Sequence, residues 1–260
     1  MTERGGVLLT GSGRLCLARP GGTPAPRTLS PWAVLVGGER IAWVGPPEAA
    51  PAGADERVDL GEALVTPALV DTHTHPVFAG DRSDEAAARL AGAPYSEGGI
   101  LRTVAATRAA TDEELLDAVE GRLRAQLAAG VTTVECKSGY GLSLAEELRA
   151  LRLIGRAAER VGIRVRRTLL AAHAVPPEAN GLAEYAEHVA NEIVPAAAAE
   201  GLADFCDVFC DAGFFDLAST ERIAASAARR GLGIRLHAEQ LRQTGAAELG
   251  VRLGAVSVDH

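Results

Sequence analysis

The sequence contains few aromatic residues, a single lysine and no long apolar run. Phe, Trp and Tyr make up 4% of the 260 residues, so a hydrophobic core must be built mainly from Ala, Val, Leu and Ile. No uninterrupted apolar stretch approaches the ~18 residues that indicate a transmembrane helix. The N-terminus also lacks the basic and then apolar segments of a signal peptide. These absences predict a cytoplasmic protein with no membrane partner.

Positive charge and cysteine pairs are also scarce. The net charge of −8 disfavours a nucleic-acid surface or an anionic membrane as partner. Four scattered cysteines, Cys16, Cys136, Cys206 and Cys210, are typical of a reduced protein rather than a disulfide framework. The lone C-x3-C of Cys206 and Cys210 favours buried thiols over a metal site, because no second pair accompanies it.

Residues 1–63 differ in character from the rest of the chain. They are rich in Gly and Pro and contain short apolar stretches, among them 32–36 and 41–44. Gly37 and Gly38 lie between these two stretches and predict a two-residue hairpin turn. The sequence therefore predicts a small N-terminal β module over residues 1–63.

Residues 64–260 alternate short apolar runs with amphipathic segments. Capping boxes at 111–114 and 143–146 predict helices that end at Gly130 and Gly162. Strands that alternate with helices are typical of parallel βαβ units. Six such strands are predicted, with ends near Asp71, Cys136, Ala172, Asp211, His237 and Asp259.

Five of the six histidines fall at predicted strand ends. They are His73 and His75 after the first strand, His173 after the third, His237 in the fifth and His260 after the sixth. An isolated H-x-H pair more often reflects a hydrogen-bonded turn. The other three favour one shared site, because the C-terminal ends of barrel strands meet at one rim. His188 lies in a helical segment and is interpreted as a surface histidine.

Other polar side chains fall at the same strand ends. They are Arg82, Lys137, Tyr140, Asp211, Glu239, Gln240 and Asp259. Imidazoles with carboxylates are typical ligands of Zn²⁺ or Fe²⁺. Such an ion lowers the pKa of bound water and polarises a carbonyl group. The residues alone therefore predict metal-assisted hydrolysis on a barrel, with one divalent or trivalent ion, Zn or Fe, as cofactor.

Six segments of the chain resemble one family, the imidazolonepropionases of the amidohydrolase superfamily. They are THTHPVFAGDR (72–82), GGILRTVAATRAAT (98–111), GVTTVECKSGYGL (130–142), LLAAHAVPPE (169–178), LHAEQ (236–240) and VDH (258–260). The resemblance implies an amidohydrolase-type (β/α)8 TIM barrel, an α/β fold, over residues 64–260, with a small β-sandwich module at 1–63. It also implies hydrolysis of the ring amide of 4-imidazolone-5-propanoate to N-formimidoyl-L-glutamate in histidine degradation, by a homodimer.

The resemblance also implies a metal set and an acid–base group. His73, His75 and His237 would bind the metal ion. His260 would act as a general acid or base, or orient the attacking water.

Four further residues would contact the substrate. Arg82 would pair with the propionate carboxylate of a small-molecule substrate, a task suited to its planar donor fork. Tyr140 and His173 would hold the imidazolone ring or its carbonyl, and His173 would stabilise the oxyanion. Gln240 would contact the ring and act catalytically. Some family members carry an acid at this position.

Several residues have alternative interpretations. Arg82 could form a loop salt bridge with the acidic residues that follow it. Lys137 could neutralise Glu135 or Asp211. In some relatives a carbamylated lysine bridges two metal ions, but the position of Lys137 after the second strand disfavours that role here. Asp211 could position a loop, and Glu239 could support a ligand. The chain could also be another cyclic amidohydrolase or deaminase, or an inactive truncated relative that binds a partner through an open barrel edge.

The chain departs from the family pattern in two ways. The loop after Tyr95 is several residues shorter, which would alter the cover of the site. The family continues beyond position 260 with two more strands and an Asp ligand, so the chain is expected to be a fragment or a truncated form. A six-stranded barrel exposes two edges. We therefore expect residues 1–260 alone to bind metal weakly and to show little hydrolysis.

Overall fold

The computed structural model of the chain describes residues 6–17, 27–92 and 98–260. The chain divides into two compact units, Met1–Ala68 and Leu69–His260. The shortened loop that follows Tyr95 in the sequence lies outside the described residues.

The described residues of the first unit form six short strands. They are β1 (Val7–Gly11), β2 (Leu15–Leu17), β3 (Arg27–Leu29), β4 (Trp32–Gly37), β5 (Arg40–Gly45) and β6 (Glu56–Asp59). One sheet has the order β5-β4-β1-β6, and β2 pairs with β3 in a second sheet. Leu15, Trp32 and Val34 are buried between them, so side chains of both sheets form one small core.

The β4–β5 hairpin turns one residue later than predicted. Gly37 still belongs to the ladder and pairs with Arg40, so the two loop residues are Gly38 and Glu39. Gly38 has a φ of 56°, a conformation that glycine adopts without steric cost. The prediction of a Gly37-Gly38 turn was therefore wrong by one position, although the hairpin itself is present.

The second unit is built on a six-stranded parallel sheet. Its strands are β7 (Leu69–Thr74), β8 (Val131–Lys137), β9 (Arg164–Ala172), β10 (Phe205–Cys210), β11 (Gly233–Ala238) and β12 (Ser257–Asp259). They are arranged in chain order from β7 to β12. The sheet curls into a half-barrel, which confirms the predicted α/β architecture and all six predicted strands.

Two contacts show how strongly the sheet curls. The guanidinium of Arg235 in β11 donates to the Thr72 carbonyl of β7 at 2.8 Å. His73 of β7 contacts Asp259 of β12 at 2.8 Å, although these two strands are at opposite edges of the sheet. The curl therefore brings the first and sixth strands together around one interior.

Eight α-helices connect or cover the strands of the second unit. They are α1 (Ser83–Leu90), α2 (Gly98–Ala109), α3 (Asp112–Ala128), α4 (Leu144–Val161), α5 (Leu182–His188), α6 (Val194–Ala199), α7 (Leu217–Ala228) and α8 (Ala246–Leu253) among the described residues. A π-helical turn, Val189–Ile193, joins α5 to α6. None of the helices in the described ranges has the length and hydropathy that crossing a bilayer requires.

The predicted helix ends are largely confirmed. Thr111 and Glu114 form a reciprocal capping box at the start of α3. At the start of α4 the Ser143 side chain accepts from the Glu146 N–H, while the Glu146 carboxylate binds Arg149 at 2.9 Å. The start of α4 is therefore an N-cap formed by Ser143. The Glu146 side chain binds Arg149 instead of completing the predicted capping box.

Candidate metal centre and substrate pocket

Three imidazoles converge inside the C-terminal end of the sheet. The Nε2 atom of His75 lies 3.3 Å from Nε2 of His73 and 3.3 Å from Nε2 of His237. His73 is in β7, and His237 is in β11. Ligand bonds of about 2.05 Å in a tetrahedral site place neighbouring nitrogens about 3.3 Å apart. The three nitrogens therefore have the spacing of ligands around a single ion.

Carboxylates fix the orientation of two of these rings. Nδ1 of His73 lies 2.8 Å from Asp259 Oδ2, and Nδ1 of His237 lies 2.9 Å from Asp207 Oδ2. A proton on Nδ1 of His73 gives Asp259 a donor. Nδ1 of His237 forms no aligned hydrogen bond, but the nearby Asp207 charge favours a proton there, so a lone pair remains on each Nε2. Lone pairs at 3.3 Å repel one another unless a cation lies between them. The donor set therefore fits a metal ion.

His260 lies on the exposed side of the same cluster. Its ring centroid is 5.1 Å from that of His73 and 5.1 Å from that of His237. One ligand atom from each of these three residues lies within 4.8 Å of the others. Burial and the nearby His237 lower the pKa of His260, so its imidazole is neutral at pH 7 and can accept a proton.

A network of buried charges lies beneath the imidazoles. Lys137 is fully buried, and its Nζ contacts Asp207 Oδ2 at 2.8 Å and Glu135 Oε1 at 2.9 Å. The Thr168 hydroxyl also donates to Glu135. The sequence alternatives for Lys137 are thus resolved in part: Glu135 is a partner, but Asp207 takes the place proposed for Asp211.

Asp259 joins this network to His73. Arg235 Nη2 lies 3.4 Å from Asp259 Oδ2, and Lys137 Nζ lies 3.8 Å from the same oxygen. Burial raises the pKa of Asp259, but the hydrogen bond with His73 and the charges of Lys137 and Arg235 outweigh it and lower the pKa to about 2. The carboxylate is therefore ionised at neutral pH.

Burial also keeps two imidazoles neutral. The pKa of His75 lies well below its usual value, first because of burial and then because of the neighbouring His173. Burial, followed by the nearby His237, lowers the pKa of His173 to about 3. His173 Nδ1 lies 2.8 Å from the Gly139 carbonyl oxygen, which requires the proton on Nδ1. Its Nε2 is then an acceptor.

A pocket of about 430 Å³ contains Arg82 and Tyr140. Its lining is Phe78, Gly80, Asp81, Arg82, Ser83, Glu85, Ala86, Thr103 and Tyr140. The Tyr140 ring lies 5.1 Å from the His173 ring and 6.0 Å from the His75 ring. Tyr140, which follows β8, and His173, which follows β9, are therefore adjacent to the imidazole cluster, and Arg82 lines the same pocket as Tyr140.

Arg82 forms the loop salt bridge that the sequence allowed. Its Nε and Nη2 atoms donate to the two Glu85 oxygens at 2.9 Å and 2.7 Å. Both residues line the pocket. The planar fork of Arg82 is therefore engaged by the Glu85 carboxylate in this structure.

The remaining predicted site residues lie around this centre. Gln240 is exposed in a turn after β11. Asp211 accepts from the backbone N–H groups of Leu241 and Arg242 at 2.7 Å and 3.2 Å, so it positions the loop that contains Gln240. Glu239 accepts from the Gly245 N–H at 3.0 Å. His188 pairs with Glu192 on the surface at 3.1 Å.

Sequence reasoning missed Asp207 and Arg235 as members of the site. Each is a charged residue within an otherwise apolar strand, FCDVFC and GIRLHA. A charge at such a position must find a buried partner. That pattern was a usable signal for an ionic interior.

Comparison with known proteins gives close sequence relatives. The chain is 50% identical over 236 residues to imidazolonepropionase of a Polaromonas species, an alignment that covers 88% of the chain and 56% of the relative. It is 47% identical over 255 residues to imidazolonepropionase of Paraburkholderia phymatum, and this alignment covers 95% of the chain and 62% of the relative. Over this shared part, the chain is a homologue of imidazolonepropionase. The resemblance seen in the sequence motifs is thereby confirmed. No family model matches the chain.

Solved structures agree on the fold of this imidazolonepropionase homologue. A Xaa-Pro dipeptidase with bound methionine has a TM-score of 0.65 at 15% identity and covers 98% of the chain and 61% of its own. A mutant atrazine chlorohydrolase from Arthrobacter aurescens, complexed with zinc and atraton, has a TM-score of 0.63 at 17% identity. The match covers 95% of the chain and 55% of the chlorohydrolase. The fold is of the amidohydrolase type.

The chain spans 56% to 62% of the length of the two imidazolonepropionases compared. The activity of a complete protein is therefore a separate question from the family relationship.

Proposed function

We propose that the chain forms the metal-binding and substrate-binding part of an imidazolonepropionase. The reaction is hydrolysis of the ring amide of 4-imidazolone-5-propanoate to N-formimidoyl-L-glutamate. The observation that carries this proposal is the imidazole cluster in which Nε2 of His75 lies 3.3 Å from Nε2 of His73 and 3.3 Å from Nε2 of His237, beside a pocket with an arginine fork. The names of the relatives, which are 47% to 50% identical, support the substrate.

His73, His75 and His237 would hold one ion, Zn or Fe. When bound, that ion would supply a Lewis acid and lower the pKa of a water molecule. Asp259 and Asp207 keep the Nε2 lone pairs of His73 and His237 directed at the shared point. His260 would take the proton of the attacking water and return it to the ring nitrogen when the C–N bond breaks.

The substrate would lie between the pocket and the imidazoles. Arg82 would bind the propionate carboxylate, which would replace or share the position of Glu85. Tyr140 and His173 would hold the ring, and Gln240 would contact it from the loop after β11. Because Nδ1 of His173 donates to Gly139, its Nε2 would accept from a ring N–H. This differs from the oxyanion donor expected from the sequence.

The metal assignment is tested by elemental analysis of the purified full-length protein, because residues 1–260 alone are expected to bind metal weakly. We expect about one equivalent of Zn or Fe in the wild type, and loss of most of it in His73→Ala and His237→Ala. His188→Ala is the matched control, since His188 lies on the surface, and it should keep the ion. Full metal content in His237→Ala would contradict the ligand set.

The substrate assignment is tested with Arg82→Ala and with Arg102→Ala as its control. Arg102 is an exposed arginine nearby that pairs with Asp84 at 2.7 Å. Consumption of 4-imidazolone-5-propanoate should fall by about 100-fold or more only in Arg82→Ala, because a charge-assisted bidentate contact is lost. Equal activity of both variants on this substrate would contradict the role of Arg82 in binding the carboxylate. A wild-type protein that does not consume it would favour a related amidohydrolase or deaminase.

A further inference from the structure

One buried carboxylate outside the imidazole cluster binds a single loop. Glu147 in α4 is fully buried. Its Oε2 accepts from the Gly139 N–H at 3.1 Å, and its Oε1 accepts from the N–H groups of Gly141 at 2.9 Å and Leu142 at 2.7 Å. A side chain of α4 thus satisfies three of the backbone donors of the segment 139–142.

This segment has a backbone that needs support. Gly139 has a φ of 111° and Leu142 a φ of 50°, and the second is a conformation that non-glycine residues rarely adopt. A Cβ at Gly141 would lie 2.6 Å from the Glu146 carbonyl carbon, so the segment also approaches α4 too closely for a side chain there. Three hydrogen bonds to one buried carboxyl group offset the cost of this conformation.

The segment holds two groups of the proposed substrate site. It contains Tyr140, which lines the pocket. The Gly139 carbonyl accepts from His173 Nδ1 at 2.8 Å. A shift of the segment at Gly139 would therefore move the tyrosine ring. It would also break the hydrogen bond that keeps the His173 proton on Nδ1 and leaves Nε2 as the acceptor.

Stability alone does not explain an acid at this position. Burial raises the pKa of Glu147, although the Ser138 hydroxyl and the three backbone N–H groups lower it. Among the described residues, no arginine or lysine forms a salt bridge with this carboxylate. An unpaired buried carboxyl group is costly, and an apolar residue would fill the same volume in a core helix. The cost is explained if the acid is needed to shape the loop.

We propose that Glu147 is a positioning residue that holds the 139–142 segment, and through it Tyr140 and His173, in the arrangement that binds the substrate ring. This inference rests on the proposed function for the identity of the substrate. Its local part, the fixing of the loop by Glu147, does not.

The variant Glu147→Gln separates the three hydrogen bonds. A glutamine has one acceptor oxygen, which can keep the bonds to Gly141 and Leu142. Its NH2 group then faces the Gly139 N–H, so two donors meet and the Gly139 peptide loses its acceptor. The side-chain volume hardly changes, so the variant tests hydrogen bonding rather than packing.

The experiment compares wild type, Glu147→Gln and Leu151→Ala in the complete metal-loaded protein. Leu151 is a fully buried residue of the same helix, and its truncation lowers stability by a cavity rather than through the loop. Four quantities are measured: metal content, Tm, KM and kcat for 4-imidazolone-5-propanoate, and amide hydrogen exchange of the peptide that contains 138–143.

We expect Glu147→Gln to keep its metal, to raise KM about tenfold or more with a smaller change in kcat, and to speed exchange in 138–143. Leu151→Ala should lower Tm without raising KM. If Glu147→Gln keeps the wild-type KM, or speeds no exchange in this peptide, the inference is overturned.

Failure of the proposed function has a different signature. Wild-type protein that holds metal but does not consume the substrate would overturn the substrate role of Glu147 together with that function. The exchange rates of 138–143 would then still decide whether Glu147 fixes the loop.

Discussion

Asp207 is a single carboxylate that contacts both a candidate metal ligand and the only lysine. Its Oδ2 lies 2.9 Å from His237 Nδ1 and 2.8 Å from Lys137 Nζ. Burial raises the pKa of Asp207, but His237 and Lys137 outweigh burial and hold the pKa well below its usual value. The residue is therefore charged at neutral pH, and its charge holds the imidazole and the ammonium group in place.

Removal of this charge should weaken metal binding. In Asp207→Asn, His237 loses its carboxylate and Lys137 keeps only Glu135 as a close partner. We expect metal affinity, measured by competition with a chelator, to fall about 10- to 100-fold. The free energy of unfolding in urea should fall by about 3–5 kcal/mol. Asp112→Asn, in a partly exposed pair with Arg149, should change neither by a comparable amount; a wild-type affinity in Asp207→Asn would refute the argument.

The thiols give a second prediction at this scale. Cys136, Cys206 and Cys210 are buried, and Cys16 is partly accessible. Burial raises the pKa of Cys136 to about 12 and also raises the pKa of Cys206, so little thiolate exists at pH 8. Native protein treated with iodoacetamide should gain at most one adduct by mass spectrometry, on Cys16. Unfolded protein should gain four, and rapid native labelling of Cys206 would show that this strand end is open.

At the scale of elements, local signals in the sequence were reliable where the chain determines its own geometry. The capping box at Thr111 and the glycine that ends α4 at Gly162 appear as predicted. The helices α1 and α2 were not predicted, because residues 83–109 carry no capping box and only a weak apolar stripe. Ile100 and Val104 of α2 are buried in the core, and such tertiary contacts are not contained in local patterns.

The capping box of α3 gives a prediction that depends on pH. The Thr111 N–H and then the Thr111 hydroxyl lower the pKa of Glu114. A depressed carboxyl pKa contributes stability above the unfolded-state pKa, and this contribution is lost as pH falls through the folded-state pKa. Wild type should therefore have a higher Tm than Glu114→Gln at pH 7, and the difference should shrink steadily below about pH 4.5. A difference that is unchanged at pH 3 would show that charge has no part in this cap.

At the scale of the whole chain, strand order was predictable but the interior was not. The alternation of apolar runs and amphipathic segments gave the six parallel strands and placed five histidines at one end of the sheet. The partners of Lys137 could not be read from it, because which of several carboxylates reaches a buried amine depends on the curl and register of β8, β10 and β12. The roles of Arg82, Tyr140 and Gln240 remain predictions.

The outer strands of the half-barrel suggest how residues 1–260 behave in isolation. Leu69 and Val70 in β7 are 58% and 59% exposed, and Val256 beside β12 is 60% exposed. Exposed apolar edge strands pair with other chains. We expect light scattering after size exclusion to show self-association that rises with concentration. Val70→Lys with Val256→Lys should reduce it, and Val251→Lys, on the exposed side of α8, should not. A monomer at all concentrations would contradict this prediction.

The enclosure of Lys137 has a practical consequence. Succinimidyl esters modify accessible amines, and the only lysine amine in these 260 residues has no exposed surface. Acylation of the Lys137 side chain therefore requires the interior of the half-barrel to open. The acylation rate in native buffer would report the rate of that opening.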